Sequence, residues 1–253
     1  MRIILDDQQA RQLVEENKYK VNSKTKFIAR CIDGRYLNDE NLPALAIAGA
    51  DAGELAVLFA TARSYAFEID KEKTLQVLCD VVGGEKNLRM HTDTHGDRAV
   101  LCSGCGHIKL MKLNPTIYSL ESQEIEFILK KCESACKKGA EETELQGDHQ
   151  EGAVLIVKGS YGIKPQFVKS QVFIVHQGLI NERHRKLAEM LIESKAVTLP
   201  EKCDVEYLYS AISEVTDNHL METARQLAKD LPIYSVDFEE SGDFKLEKIG
   251  QVE

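Results

Sequence analysis

The sequence predicts an α/β fold, a single domain over residues 1–253 in which a mixed β-sheet is flanked by helices. Three observations lead there. Short apolar runs rich in valine and isoleucine alternate along the chain with longer stretches of helical periodicity. No Pro/Gly/Ser-rich linker divides the chain, so one domain is the better count. The apolar fraction of 43% over 253 residues is ordinary for a globular protein and sufficient for a sizeable core.

The elements follow in order. Residues 6–20 read as a helix with aspartates at its N-terminal end, where the helix dipole favours them, so an N-terminal helical arm is expected over about residues 1–22. Lys26 to Arg30 reads as a buried strand. Residues 42–53 are dense in Ala and Gly, which predicts a tight loop packed closely under whatever site lies above it. Glu54 to Glu68 is apolar on most faces and long enough for a core helix, and Lys71 to Val82 predicts another, closed by Gly83-Gly84. Asn87 to Met90 predicts a short strand, and Lys109 to Lys112 a helix or turn limited by Pro115. Ser119 to Gly139 has helical periodicity and many charges, as a solvated amphipathic helix would. Residues 145–151 read as a polar turn. Strands follow at Ala153–Val157 and Val172–Val175, helices at Asn181–Ser194 and Asp204–Asp230, and a last strand at Leu231–Asp237. Lys26–Arg30 and Val172–His176 resemble each other only as strand patterns, thin evidence for an internal repeat.

Bulk properties exclude several classes. A formal net charge of −9 and the lack of a basic stripe argue against nucleic-acid binding. No run reaches the roughly 18 apolar residues that a membrane span needs, and the opening Met1–Asp7 is too short in apolar residues for a signal peptide. Seven cysteines form an odd count without disulfide-like spacing, which suits reduced thiols. The expectation is a soluble, acidic, cytoplasmic protein.

The chemistry is concentrated between Cys31 and Leu110. His91, Asp93, His95 and Asp97 are followed by Cys102-Ser-Gly-Cys105-Gly-His107. Thiolates beside imidazoles are the donors that zinc or cadmium prefers over magnesium or calcium. Upstream, Phe27-Ile-Ala-Arg-Cys31-Ile-Asp33-Gly-Arg35 begins as a strand and ends in Cys, Asp and Arg at alternate positions. Extended residues repeat every second position, so these three emerge on one side of the strand end. Together the two segments predict a mononuclear metal site.

The pattern resembles the Cys-x-Asp-x-Arg signature of β-class carbonic anhydrases. It is more similar still to the zeta class, the cadmium/zinc carbonic anhydrases of diatoms. There Cys-x-Asp-Gly-Arg is followed by an Ala-Ile-Ala loop, by His-Gly-Asp, and by Gly-Cys-Gly ten residues beyond that histidine. Here the counterparts are Cys31-Ile-Asp33-Gly-Arg35, Ala46-Ile47-Ala48, His95-Gly96-Asp97 and Gly104-Cys105-Gly106. The His-x-x-Cys spacing of the β class is absent. The resemblance extends more faintly to Gly147–Glu151 and the Phe173-Ile-Val175 strand, covering roughly residues 26–190.

The resemblance implies a β- or zeta-like fold with Cys31, His95 and Cys105 holding zinc or cadmium. Three protein ligands leave a fourth position for water, the mark of a catalytic zinc site. Asp33, held by Arg35, would orient the bound water, and metal-bound hydroxide would convert carbon dioxide to bicarbonate. The partner is then a small-molecule substrate, carbon dioxide or bicarbonate; a homo-oligomer is compatible with this reading, and the sequence leaves the oligomeric state open. Two departures stand out. Asp51 places an acid in the small-residue loop, and His91 and Cys102 are further donors that would close the site if they bound the metal.

Other readings compete. Cys102-Ser-Gly-Cys105 alone could be a thiol-redox pair, which leaves Cys31-x-Asp-Gly-Arg unexplained. A non-catalytic metal-binding protein, or a hydrolase of carbonyl sulfide or carbon disulfide, uses the same donors. Cys79, Cys132, Cys136 and Cys203 read as small buried hydrophobes. His149 reads as a turn histidine, and His107, His176, His184 and His219 as surface or core histidines.

Overall fold

The computed structural model of the chain describes residues 4–21, 28–31, 44–47, 50–83, 120–131, 152–164, 172–227 and 231–250. Among them are six helices and ten strands, and the class is α/β.

Helix α1 spans Asp7–Asn17. Asp6 starts it with a capping box: its carboxylate accepts from the Gln9 backbone N–H at 2.8 Å, and the Gln9 side chain accepts from the Asp6 N–H at 3.0 Å. The helical arm expected to about residue 22 ends earlier. Lys18 already has extended backbone angles, and Lys18–Lys20 form strand β1. Strands β2 (Ile28–Cys31) and β3 (Ala44–Ile47) pair in parallel. Part of the small-residue segment expected as a loop is therefore the strand β3. Helix α2 (Ala50–Ser64) begins two residues after it, before the glutamate where the helix was expected to start. Strand β4 (Glu68–Ile69) and helix α3 (Lys71–Gly83) follow, and residues 122–131 form helix α4 within the expected amphipathic stretch.

The remaining elements are β5 (Ala153–Lys158), β6 (Tyr161–Ile163), β7 (Val172–His176), α5 (Gln177–Glu193), β8 (Val197–Thr198), α6 (Val205–Leu227), β9 (Ile233–Phe238) and β10 (Phe244–Gly250). The main sheet has the order β10-β9-β5-β7. Strands β9, β5 and β7 are mutually parallel, and β10 is antiparallel at the edge. Strand β3 lies beside β7, and β1 pairs antiparallel with β6.

Packing explains the patterns. All five residues Ala153–Val157 of β5 are buried, as a strand covered on both faces requires. On one face Leu155, Val157, Tyr234 and Val236 pack against Leu13 and Val14 of α1. The helices form a second core, in which Leu55, Leu58 and Phe59 of α2 meet residues of α3, α4, α5 and α6. Helix α2 is buried almost all round, hence its nearly unbroken apolar sequence.

The elements also repeat. Each half runs through a parallel strand pair, a helix, a short strand and a second helix: β2–β3–α2–β4–α3, then β5–β7–α5–β8–α6. Ala66 and Lys195 both take left-handed backbone angles after the first helix. The next amide in each half closes the same turn, Phe67 to the Ala62 carbonyl and Ala196 to that of Leu191. Asp70 and Asp204 cap the second helices, accepting from Lys73 and Tyr207. Strands β4 and β8 pair reciprocally, Glu68 with Thr198 and Ile69 with Val197, as twofold-related strands do. The sequence comparison of Lys26–Arg30 with Val172–His176 matched the wrong strands: β7 corresponds to β3, and β5 to β2.

Candidate functional site

Cys31 is the last residue of β2, and its parallel partner is Ile47, the last residue of β3. The Cys-Ile-Asp-Gly-Arg motif therefore leaves the carboxyl end of a parallel strand. The neighbouring strand end leads, after residues 48 and 49, into α2. In parallel α/β sheets this is the edge where ligands bind, because the loops there are free to carry chemistry while the strands fix their origins. Asp33, Arg35, His95 and Cys105 lie outside the described residues, as do His91, Cys102, His149 and the expected strand at 87–90. Among the described residues, no group of three or more His, Cys, Asp or Glu side chains is placed to hold a metal ion. Cys203, read from the sequence as a small buried hydrophobe, is instead a free and partly exposed thiol.

Beyond the motif, the structure brings together charged groups that sequence reading left apart. Glu54 is in the second turn of α2, and Arg183 and His184 are in the second and third turns of α5. All three are at most 1% exposed. The Arg183 guanidinium grips the Glu54 carboxylate through Nε (2.9 and 3.0 Å) and Nη2 (2.6 Å). His184 Nε2 lies 3.6 Å from Glu54 Oε1. Burial lowers the His184 pKa to about 4; Glu54 opposes the shift and Arg183 adds to it. The imidazole is therefore neutral at pH 7. Glu54 and Arg183 occupy equivalent positions of the two repeats: 129 residues separate them, the spacing of Ala66 from Lys195. No local signal marked this pair: Glu54 shares α2 with Asp51 and Arg63, and Arg183 is one of several charged residues on α5.

His176 ends β7 and is 2% exposed. Burial lowers its pKa to about 4 as well, partly opposed by a hydrogen bond to the Ile163 backbone. His176 and His184 are thus the core histidines that the sequence allowed. Around α4, Arg63 of α2 pairs with Glu124, tying that helix to the core.

Comparison of the chain with protein-family models, with curated proteins and with solved structures finds no match. No described helix is long and apolar enough to cross a membrane.

Proposed function

We propose that the chain is a metal-dependent lyase of the carbonic anhydrase type, interconverting carbon dioxide and bicarbonate. The observation that supports this best is the place of Cys31, at the carboxyl end of a parallel strand beside a second strand end and the start of α2. In this reading Cys31, His95 and Cys105 would hold one divalent ion. Two thiolates and an imidazole suit zinc or cadmium in softness and in number. When bound, that ion acidifies a water molecule and so supplies a nucleophile near neutral pH.

The chain's own residues supply the rest. The Asp33 carboxylate accepts a hydrogen bond from the attacking water and fixes its orientation. The Arg35 guanidinium, a planar fork matched to a carboxylate, would keep Asp33 an acceptor. A cytoplasmic setting, which keeps Cys31 and Cys105 reduced, belongs to the same reading, as does a homo-oligomer.

Elemental analysis of freshly purified protein, followed by stopped-flow carbon dioxide hydration, tests the reading. One zinc or cadmium per chain with turnover is expected. Metal without carbon dioxide turnover, but with hydrolysis of carbonyl sulfide or carbon disulfide, would move the activity to that substrate class. A metal-free protein whose stability is indifferent to chelators would overturn it.

A further inference from the structure

The internal repeat gives the strand end at Cys31 a counterpart. Cys31 is paired with Ile47 at the close of β2 and β3, and Val157 is paired with His176 near the close of β5 and β7. At this second strand end the structure places two buried polar atoms without hydrogen-bond partners among the described residues, His176 Nε2 and Tyr19 Oη. The rings face each other edge-on, with centroids 6.4 Å apart. They rest on successive residues of β6. Tyr19 lies across Gly162, where an added Cβ would come within 2.3 Å of Oη, and His176 is bonded to the backbone of Ile163. Glycine at 162 is what admits the phenol to this position.

The chemistry of the two atoms is complementary. His176 Nε2 has no partner among the described residues, so the backbone hydrogen bond at Ile163, which favours the charged ring, falls to Nδ1–H. The neutral ring then carries a bare lone pair on Nε2. Tyr19 offers a phenolic hydrogen. An acceptor and a donor, both sealed from solvent, are the partners of one molecule that can donate and accept at once. An anion would meet the Nε2 lone pair, and a metal ion would find a single neutral nitrogen beside a neutral phenol.

We propose that the carboxyl ends of β5 and β7, equivalent in the repeat to the strand end at Cys31, form a site that holds one neutral protic molecule of the size of water. That molecule donates a hydrogen bond to His176 Nε2 and accepts one from Tyr19 Oη. The site stands independently of the activity proposed above.

Nitrogen-15 NMR of histidine-labelled full-length protein at pH 7, together with oxygen-17 relaxation dispersion of water, tests it. The expected result is a His176 Nε2 resonance shifted upfield from that of a bare imidazole nitrogen, together with a long-lived internal water. In Tyr19→Phe that water is lost, the resonance moves back towards the bare position and Tm falls. A bare Nε2 resonance in the parent protein would overturn the proposal without any variant. A hydrogen-bonded Nε2 with no long-lived water would also overturn it, since Tyr19 would then be bonded to His176 directly. So would a rise of Tm in Tyr19→Phe, the expected outcome when an unsatisfied buried hydroxyl is deleted.

Discussion

Replacing Glu54 by Gln should destabilise the protein by about 3–5 kcal/mol, the usual cost of stranding one member of a buried ion pair. The structure puts this site at the severe end. Arg183 is fully buried, it makes three contacts of 2.6–3.0 Å to Glu54, and His184 lies against the same carboxylate. Gln preserves the shape but not the charge, so the buried guanidinium loses the carboxylate that it grips at 2.6–3.0 Å. Against a total of about 5–15 kcal/mol for a typical protein this is a large fraction. Urea unfolding followed by far-ultraviolet circular dichroism measures it as a fall in the midpoint. Arg183→Met should cost a similar amount by removing the guanidinium that neutralises the buried carboxylate. The double variant Glu54→Leu/Arg183→Met should recover most of the loss, because exchanging the whole pair for packed apolar groups removes both desolvation penalties. A Glu54→Gln midpoint within about 1 kcal/mol of the parent's would refute the reasoning, as would losses in the double variant that simply add.

Acid should weaken the fold in a defined window. His176 and His184 are buried neutral with folded pKa values of about 4, below the ordinary 6.5, chiefly through burial. The unfolded chain therefore binds more protons between those values. Their contribution is fully present above about pH 6.5 and is lost as the pH falls towards 4, on the order of 3 kcal/mol for each ring. Urea midpoints at pH 7.5 and 4.5 check this, and His184→Gln should flatten the slope. Leu155→Ala, in the doubly covered strand β5, should cost about 2–5 kcal/mol in the same assay. Cys31→Ser should abolish metal binding in elemental analysis, whereas Cys203→Ser, altering a free and partly exposed thiol, should leave metal content unchanged. Asp33→Asn should keep the metal and lose carbon dioxide hydration by roughly 100-fold or more, the usual contribution of a positioned acid–base group.

Much of the fold was legible because burial writes itself into composition. The run Ala153–Val157 is apolar throughout because both faces of β5 are covered, and α2 is apolar on most faces because other helices surround it. The strand β3 was missed for a related reason. Its residues Ala44–Ile47 lie among so many alanines and glycines that the composition suggests a loop, while the pairing with β2 is a nonlocal fact. Strands β1 and β6 are three residues each, and the register that joins Lys18 to Ile163 spans most of the chain. No local periodicity encodes it. Strand β10 did carry a signal, the alternation of Phe244 and Leu246 with charged residues, but its partial exposure at the sheet edge dilutes it.

The site divides along the same physical line. A motif such as Cys31-x-Asp-Gly-Arg is local in sequence, so spacing alone can suggest its chemistry. The strand end that presents Cys31 could be anticipated from the apolar residues before it. Glu54 and Arg183 are distant in sequence and individually unremarkable; an acid near the start of a helix and a base on another helix usually face solvent. Only the repeat brings them together. Once β2–β3–α2 and β5–β7–α5 are superposed in register, the two charges fall at equivalent positions, and the same equivalence sets Val157 opposite Cys31. The two halves have kept one scaffold and diverged at their strand ends, thiol in one and apolar in the other. At the strand end without the thiol, the buried His176 of β7 meets Tyr19 of β1, and His176 Nε2 and Tyr19 Oη have no hydrogen-bond partner among the described residues. The strand end is thus the position of this scaffold at which chemistry changes while packing is retained, and Cys31 stands on it.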